Sequence, residues 1–485
     1  MLLRLDDRKL FGNDAGEDEE LDVLNSYYID NRNFEDFFDS SEKLFIVSAR
    51  KGMGKSALLS RLEYRLKNEL YYGNPLVVRV KGNELLGLGD FQGDSHSYLE
   101  NYWKQIICKR IIIEIGKGVG FAVSSDEISM VELAEIDGIK NKNVLGALVS
   151  RISGKLPLLG VEVKKSIPEN AVSLLAGYQQ RNLNSDVWIL VDDIDAKYQN
   201  TSAGQALVGA FFSAIRSLAF DMEGLRIRST VRSDVWSCLR HLEDLDKIEQ
   251  YILNLFWSKK DMRDILAQRV LAYVKARFPE SDEAKYILGR DYNKILDLAF
   301  LSPIEWGQNK DARLFDAISA FSNRRPRWMG QLARMAGKKA RDTHNFQKIS
   351  LNHIEFILSE FGANRRDDLM KEHLHQFDEL LNLIDALRTM KREFSSEELH
   401  AVIAVNFIRG RELVDIPEVD GKPYRDVADL GDFLFKLGLI SRIHPDGKNF
   451  THFTDDPDLY GSIENRAGRV IWSIHPAYRK FLNIW

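Results

Sequence analysis

A doubly wound parallel α/β sheet, followed by an α-helical lid and a C-terminal winged-helix domain, is the architecture this sequence predicts. Three observations predict it. A short apolar run, Leu44–Val47, leads into a glycine-containing turn and then a helix with one apolar stripe. A second apolar run, Trp188–Val191, ends in paired acids. Strand-like and helix-like segments alternate up to about residue 257, and the pattern is helical beyond it.

The first element is "FIVSARKGMGKSALLSRL", residues 45–62. Leu44, Phe45, Ile46 and Val47 run together and end at small residues, as a buried strand does. Leu58, Leu62, Leu66 and Leu70 recur every four residues, which places them on one face of a helix. The turn between them fits the phosphate-loop pattern G-x-x-x-x-G-K-[ST], except that Ala49 holds the first position. That position lies at the strand exit, before the tight curl, so a methyl group costs little if φ stays negative. Gly52 and Gly54 let backbone N–H groups curl around phosphate oxygens with no Cβ in the way. The helix beginning near Lys55 adds its positive dipole end. The Lys55 ammonium is placed for the β- and γ-phosphates of a nucleotide and the Ser56 hydroxyl for Mg²⁺. The predicted nucleotide-binding segment is therefore Ala49, Arg50, Lys51, Gly52, Met53, Gly54, Lys55, Ser56 and Ala57.

The second element is "DVWILVDDIDAKYQN", residues 186–200. A buried parallel strand reads as a continuous apolar run, and ligand groups gather at its carboxyl end. Asp192 is placed to hold Mg²⁺, directly or through water, and Asp193 to orient or deprotonate an attacking water. Asp195 is a further candidate for Asp193's role. Between the two motifs stand a strand at 75–82 and a long helix with Tyr98, Trp103, Ile106 and Ile107 at apolar positions. A helix at 204–220, a fourth strand over 225–236 and a fifth over 249–257 follow. Likeness to P-loop proteins that insert a strand at this point implies that the strand at 75–82 lies on the far side of the acidic strand, with the fourth strand between the two motif strands. Arg232 or Ser233 then stands at the fourth strand's tip, where a polar side chain senses a γ-phosphate.

The domain boundaries read from this pattern are a core at 1–257, a lid at 258–373 and a winged helix at 374–485. An irregular basic insertion occupies about 120–180 of the core, and the acidic stretch "GNDAGEDEELD" opens it. The lid helix starting at Ser258 carries a cap and a following acid. Pro326 opens another helix, so Arg325 and Arg327 stand at its start, within reach of a γ-phosphate. In the last domain "FDELLNLIDALRTM" and "FSSEELHAVIAV" read as helices, the second capped by Ser395 or Ser396. A third helix turns at Gly438 into a strand, and "RVIWSIHPAYRKFL" gives a further strand and a short helix. This is winged-helix order. The third helix carries Asp426, Asp429 and Asp432 against only Arg425 and Lys436, which disfavours a DNA reader and favours protein contact or autoinhibition. The basic stretch 139–165 is the other segment suited to nucleic acid or a partner.

Composition bounds the rest. The 485 residues are 44% hydrophobic and 29% charged with a net charge of −5, so no global positive field points to nucleic acid. Cys108 and Cys238 cannot build a disulfide framework, which suits a cytoplasmic protein. No apolar run of signal-peptide or membrane-spanning length is found.

Taken together, "ARKGMGKSALL", "ILVDDID", "RSDVW", "RRPRWMGQLAR", the "FG" start at Phe11–Gly12 and the aromatic "YYI" resemble the bacterial P-loop ATPases near the STAND and KAP branches of the AAA+-like group. Ala49 departs from that group, where glycine is usual. The resemblance implies ATP as the nucleotide, Lys55 and Ser56 on phosphate and Mg²⁺, Asp192 on Mg²⁺, Asp193 in catalysis, Arg232 in sensing, and Arg325 and Arg327 as lid arginines. It also implies an ATPase that is slow without a partner, in bacterial conflict such as antiviral defence, with a separate effector or sensor protein. A homo-oligomer is compatible with it, with Arg240, Arg324, Arg325 or Arg327 acting on a neighbour's nucleotide. A DNA-dependent ATPase and a non-catalytic nucleotide-bound scaffold are the competing readings.

Overall fold

The computed structural model describes the chain except residues 1, 14–15, 89–90, 92, 94, 119–170, 182–185, 241, 282–290, 308, 344–346, 410–417, 420–421, 424–425, 446–449, 454 and 485. The basic stretch 139–165 and Arg425 thus lie outside the described residues. Two compact units are formed. One comprises Asp30–Arg50 and Lys55–Leu255; the other comprises Met1–Ile29, Lys51–Gly54 and Phe256–Trp485.

The first unit is built on five parallel strands: β1 (Leu44–Ala49), β2 (Leu76–Lys81), β3 (Val187–Asp192), β4 (Leu225–Arg232) and β5 (Ile252–Asn254). Their order is β2-β3-β4-β1-β5, so β4 lies between the two motif strands and β2 lies beyond β3, as the likeness to P-loop proteins implied. All six residues of β3 are buried, which explains its unbroken apolar run. Helices His96–Gly118 and Ser202–Asp221 pack together, with the Trp103 ring 5.2 Å from that of Phe211 and its Nε1 donating to Leu207 O at 2.9 Å. Among the described helices, Ser202–Asp221 has the length and apolar character to cross a membrane, yet Phe211, Phe212 and Ile215 are fully buried in this unit's core.

Three elements differ from expectation. The helix after the glycine turn buries Leu58, Leu62 and Leu66 but ends at Asn68, leaving Leu70 99% exposed. The Asn68 side chain donates to Tyr64 O, and Tyr72 takes the buried place instead, its hydroxyl donating to Phe38 O. The fourth strand stops at Arg232, and Ser233–Leu239 is a helix. Val235, Trp236 and Leu239 are buried at helical spacing, and Asp234 in the first turn complements the dipole. The fifth strand is only three residues long, because Glu243–Tyr251 coils as a 3₁₀ helix.

In the second unit, helix Lys259–Arg277 begins with a reciprocal cap: Ser258 Oγ accepts the Asp261 N–H at 3.1 Å and Asp261 accepts the Ser258 N–H at 2.9 Å. Helices Leu314–Ser322, Pro326–Asp342 and Leu351–His373 follow, and Pro326 occupies the first turn of its helix. Phe11 is buried here, its carbonyl bound by Arg269 and its ring 5.7 Å from Phe300. The winged-helix elements are Leu380–Asp385, Ser396–Ile403 and Val427–Leu437, with an antiparallel sheet ordered Phe450–Thr451, Ile440–Ile443, Ile471–Ile474, Glu393–Phe394. Ser395 is the cap of the second helix and Gly438, at φ 74°, turns the third into its strand. The expected first helix is shorter, giving way to a 3₁₀ turn at Ala386–Thr389, and the two-residue strand Glu393–Phe394 is too short to show periodicity. Asp426 caps the third helix through the N–H groups of Ala428 and Asp429, which gives one of its three acids a structural role.

One glycine ties β2 to the acidic turn. A Cβ on Gly82 would lie 2.4 Å from Ile194 Cα and 2.6 Å from Asp193 O, both backbone atoms that cannot rotate away. Gly82→Ala is therefore expected to destabilise the chain by about 1–3 kcal/mol through overpacking, measured as a fall in the denaturant midpoint.

Candidate functional site

The site is built on the carboxyl ends of β1, β3 and β4. Ala49 is the last residue of β1, buried and not among the residues with positive φ, so its methyl group is accommodated as the strand exit allows. Gly52 and Gly54 have φ of 80° and 101°, the left-handed region where a side chain is strained. Lys55 opens the following helix and is 7% exposed; its Nζ turns back to donate to Ala49 O at 2.9 Å. Ser56 and Ala57 lie in the same first turn, where helix N–H groups have no intrahelical partner.

Asp192 is 1% exposed and both its oxygens are engaged. Thr230 Oγ1 donates to Oδ1 at 2.8 Å from β4, and Arg79 Nη2 pairs with Oδ2 at 3.0 Å from β2. The next residue, Asp193, sits at φ 51° and donates its N–H to Thr230 Oγ1 at 3.0 Å. Aspartate tolerates this left-handed geometry better than most residues, and such strained positions cluster at functional sites. Arg232 is held by Asp195. Its Nε and its backbone N–H both reach Asp195 Oδ2, at 2.8 and 3.0 Å. Asp195 thereby acts as the anchor of Arg232 at the β4 tip.

The loop tip Lys51–Gly54 belongs to the second unit, and its polar backbone is held there. Glu372 Oε1 accepts the Lys51 N–H at 3.1 Å, Arg327 N–H donates to Gly52 O at 3.3 Å, and Trp257 Nε1 donates to Met53 O at 2.7 Å. Arg325 is 1% exposed and pairs with Glu372 Oε2 at 3.0 Å. The two lid arginines thus differ: Arg327 donates its backbone N–H to the loop, with its side chain beside Gly52, whereas the Arg325 side chain donates to Lys51 O at 3.4 Å and pairs with Glu372. Burial alone would raise the Glu372 carboxyl, but Arg325, His373 and the Lys51 N–H hold it well below the usual carboxylate range.

The donor set suits nucleotide and Mg²⁺. Three carbonyls of the loop tip turn toward Arg325, Arg327 and Trp257, which directs the opposite face of those peptides, the N–H face, into the loop. Mg²⁺ takes one or two carboxylates with phosphate oxygens and water rather than a protein cage. Ser56 and Asp192 would hold it; the carboxylate of Asp192 has about four lone-pair sites, of which Thr230 and Arg79 use two. No cluster of three acidic, histidine or cysteine ligands is found among the described residues.

Four residues of this arrangement were not singled out from the sequence: Thr230, Arg79, Glu372 and Trp257. Thr230 and Arg79 lie on the strands flanking β3, so only the strand order reveals them. Glu372 is 321 residues from its Lys51 partner, and no local pattern marks it.

Strand order, the glycine loop after β1 and the acid pair after β3 define a P-loop α/β fold carrying helical and winged-helix elements. No protein-family profile and no curated protein matches the chain. Among solved structures, the ORC2 protein of Aeropyrum pernix in ADPNP–ADP complexes is 13% identical, covering 96% of this chain and 92% of that one at a TM-score of 0.40. The Aeropyrum pernix ORC1 protein in complex with DNA is 16% identical, with 91% and 86% covered and a TM-score of 0.32. Cdc6p from Pyrobaculum aerophilum is 11% identical, with 96% and 98% covered and a TM-score of 0.33. These likenesses are slight and assign no residue of this chain a role.

Thr230 is the group that joins both acids. Thr230→Val keeps its shape and removes the hydroxyl, leaving Asp192 Oδ1 and the Asp193 N–H without it. The variant is expected to be less stable by about 1–3 kcal/mol, read as a fall in the denaturant midpoint.

Proposed function

We propose that this chain binds and hydrolyses ATP with Mg²⁺ and uses the nucleotide as a conformational switch. The observation that carries the reading is the joint presence of a left-handed glycine loop ending in a buried lysine and a buried, doubly bonded aspartate at the end of β3. Lys55 exchanges Ala49 O for phosphate oxygens, and the N–H groups of the loop and first helical turn bind the phosphate chain. Mg²⁺, when bound, neutralises charge on the β- and γ-oxygens. Asp193, fixed by its N–H bond to Thr230, orients water or accepts its proton, and Arg232, anchored on Asp195, senses the γ-phosphate.

The lid and winged-helix elements are the moving parts in this reading. From the resemblance to STAND- and KAP-type ATPases we carry over a cytoplasmic role in bacterial conflict, including antiphage defence, with a separate effector or sensor or with further copies of the chain. Binding to DNA is disfavoured by Asp429 and Asp432 on the third helix of the winged element.

The test is ATP turnover by the purified chain with Mg²⁺ beside Lys55→Ala and Asp193→Asn. Turnover is expected in the wild type and a loss of about 100-fold or more in both variants, with nucleotide binding lost in Lys55→Ala and kept in Asp193→Asn. Nucleotide bound without turnover in the wild type, with or without added effector, would contradict hydrolysis and favour a scaffold.

A further inference from the structure

The mechanism above leaves Glu372 unused, although it is 1% exposed and its two oxygens hold the Lys51 N–H and Arg325. The ion pair is unusual in what it leaves unsatisfied. Arg325 Nε and Nη2 are buried with no hydrogen-bond partner, so the guanidinium is only partly used. A buried donor without an acceptor costs free energy, and an anion with several oxygens would satisfy it. Further positive charge is close by. Arg325 lies 4.5 Å and Arg365 5.0 Å from the centre of the same Trp328 ring, and burial together with Arg325 and Arg327 lowers the Arg365 pKa. Arg365 Nε is also buried without a partner. A fully buried carboxylate therefore faces the partly used Arg325 guanidinium at the tip of a phosphate loop, while the neighbouring Arg365 pairs with Asp368 and Gln331.

We propose that Glu372 is a discriminating latch: it occupies the Lys51 N–H and Arg325 as a stand-in anion, and the terminal phosphate of a nucleoside triphosphate, but not a diphosphate, competes for both. Glu372 is a positioning residue here and takes no part in bond breaking. The proposal rests on the reading of the loop as an ATP site. Its consequence runs along helix Leu351–His373, whose last turn carries Glu372. That helix packs tightly on the C-terminal segment, since a Cβ on Gly362 would lie 2.7 Å from Ala477 O. Just beyond it, the buried Phe377 rests 5.9 Å from Phe433 of the winged helix. Release of Glu372 therefore loosens the joint from which the winged helix hangs.

The experiment is calorimetric binding of ADP and of a non-hydrolysable ATP analogue, each with Mg²⁺, to the full chain and to Glu372→Gln. The latch predicts that the variant binds the triphosphate at least about fivefold tighter, the lower end of typical coupling factors, with ADP affinity essentially unchanged. ADP binding by the wild type reports the site, and the triphosphate-to-diphosphate ratio reports the latch. Normal ADP binding with an unchanged or lowered ratio in the variant overturns the latch and leaves the ATP site standing. No binding of either nucleotide by either protein overturns both. Triphosphate binding only in the variant supports the latch at its tightest. Should Glu372→Gln fail to fold, hydrogen exchange on the wild type decides: the analogue, and not ADP, should speed exchange at residues 370–377, and unchanged or slower exchange there overturns the proposal.

Discussion

A carboxyl group buried at the end of a central strand needs hydrogen-bond partners, and Asp192 has them on both sides. Arg79 comes from β2 and Thr230 from β4, the two strands that flank β3. The parallel order β2-β3-β4-β1-β5 is what brings them there. The same Thr230 hydroxyl takes the N–H of Asp193, which holds that residue in its left-handed conformation. Asp195 then anchors Arg232 at the tip of β4. One hydrogen-bonded chain therefore links three strands and fixes both motif acids, and Gly82 lets β2 come close enough to close it.

Much of this was legible in the sequence because its signals are local. Strand, glycine turn and helix follow one another within 44–68, and the positive φ values of Gly52 and Gly54 are those their lack of a Cβ allows. Right-handed crossovers made the alternating elements a doubly wound sheet, and the strand order followed from likeness to P-loop proteins with an inserted strand. The Ser258, Pro326, Ser395 and Gly438 signals each mark an element end as their side-chain chemistry dictates. Boundaries failed where helical and strand periodicities overlap. "RSDVW" places Val235 and Trp236 where either reading buries something, and the neighbouring Leu239 decides for the helix. Leu70 continued a stripe that the backbone had already left.

The part that could not be read is the part made by distant pairs. Arg79, Thr230 and Glu372 carry ordinary residue types in ordinary surroundings, and only the folded chain shows what they face. The lid arginines illustrate the difference. "RRPR" marks a helix start with positive charge, but it does not say that Arg325 is buried on Glu372 while Arg327 offers its backbone to Gly52. The carbonyls of Lys51, Gly52 and Met53 are thus held by Arg325, Arg327 and Trp257, and this leaves the N–H groups of Gly52, Met53 and Gly54 as the face for an anion.

The central claim is that phosphates of ATP occupy the loop from Gly52 to Ser56 with Mg²⁺ between Ser56 and Asp192. A crystal structure of the chain with ADP, Mg²⁺ and a fluoride analogue of the γ-phosphate tests it most directly. The account predicts Lys55 Nζ moved from Ala49 O onto the β-phosphate and the analogue, Mg²⁺ bound by Ser56 Oγ and reached by Asp192 directly or through water, and Asp193 facing the attacking water. Nucleotide bound elsewhere, or bound with Lys55 still on Ala49 O and Asp192 remote from the metal, would contradict it.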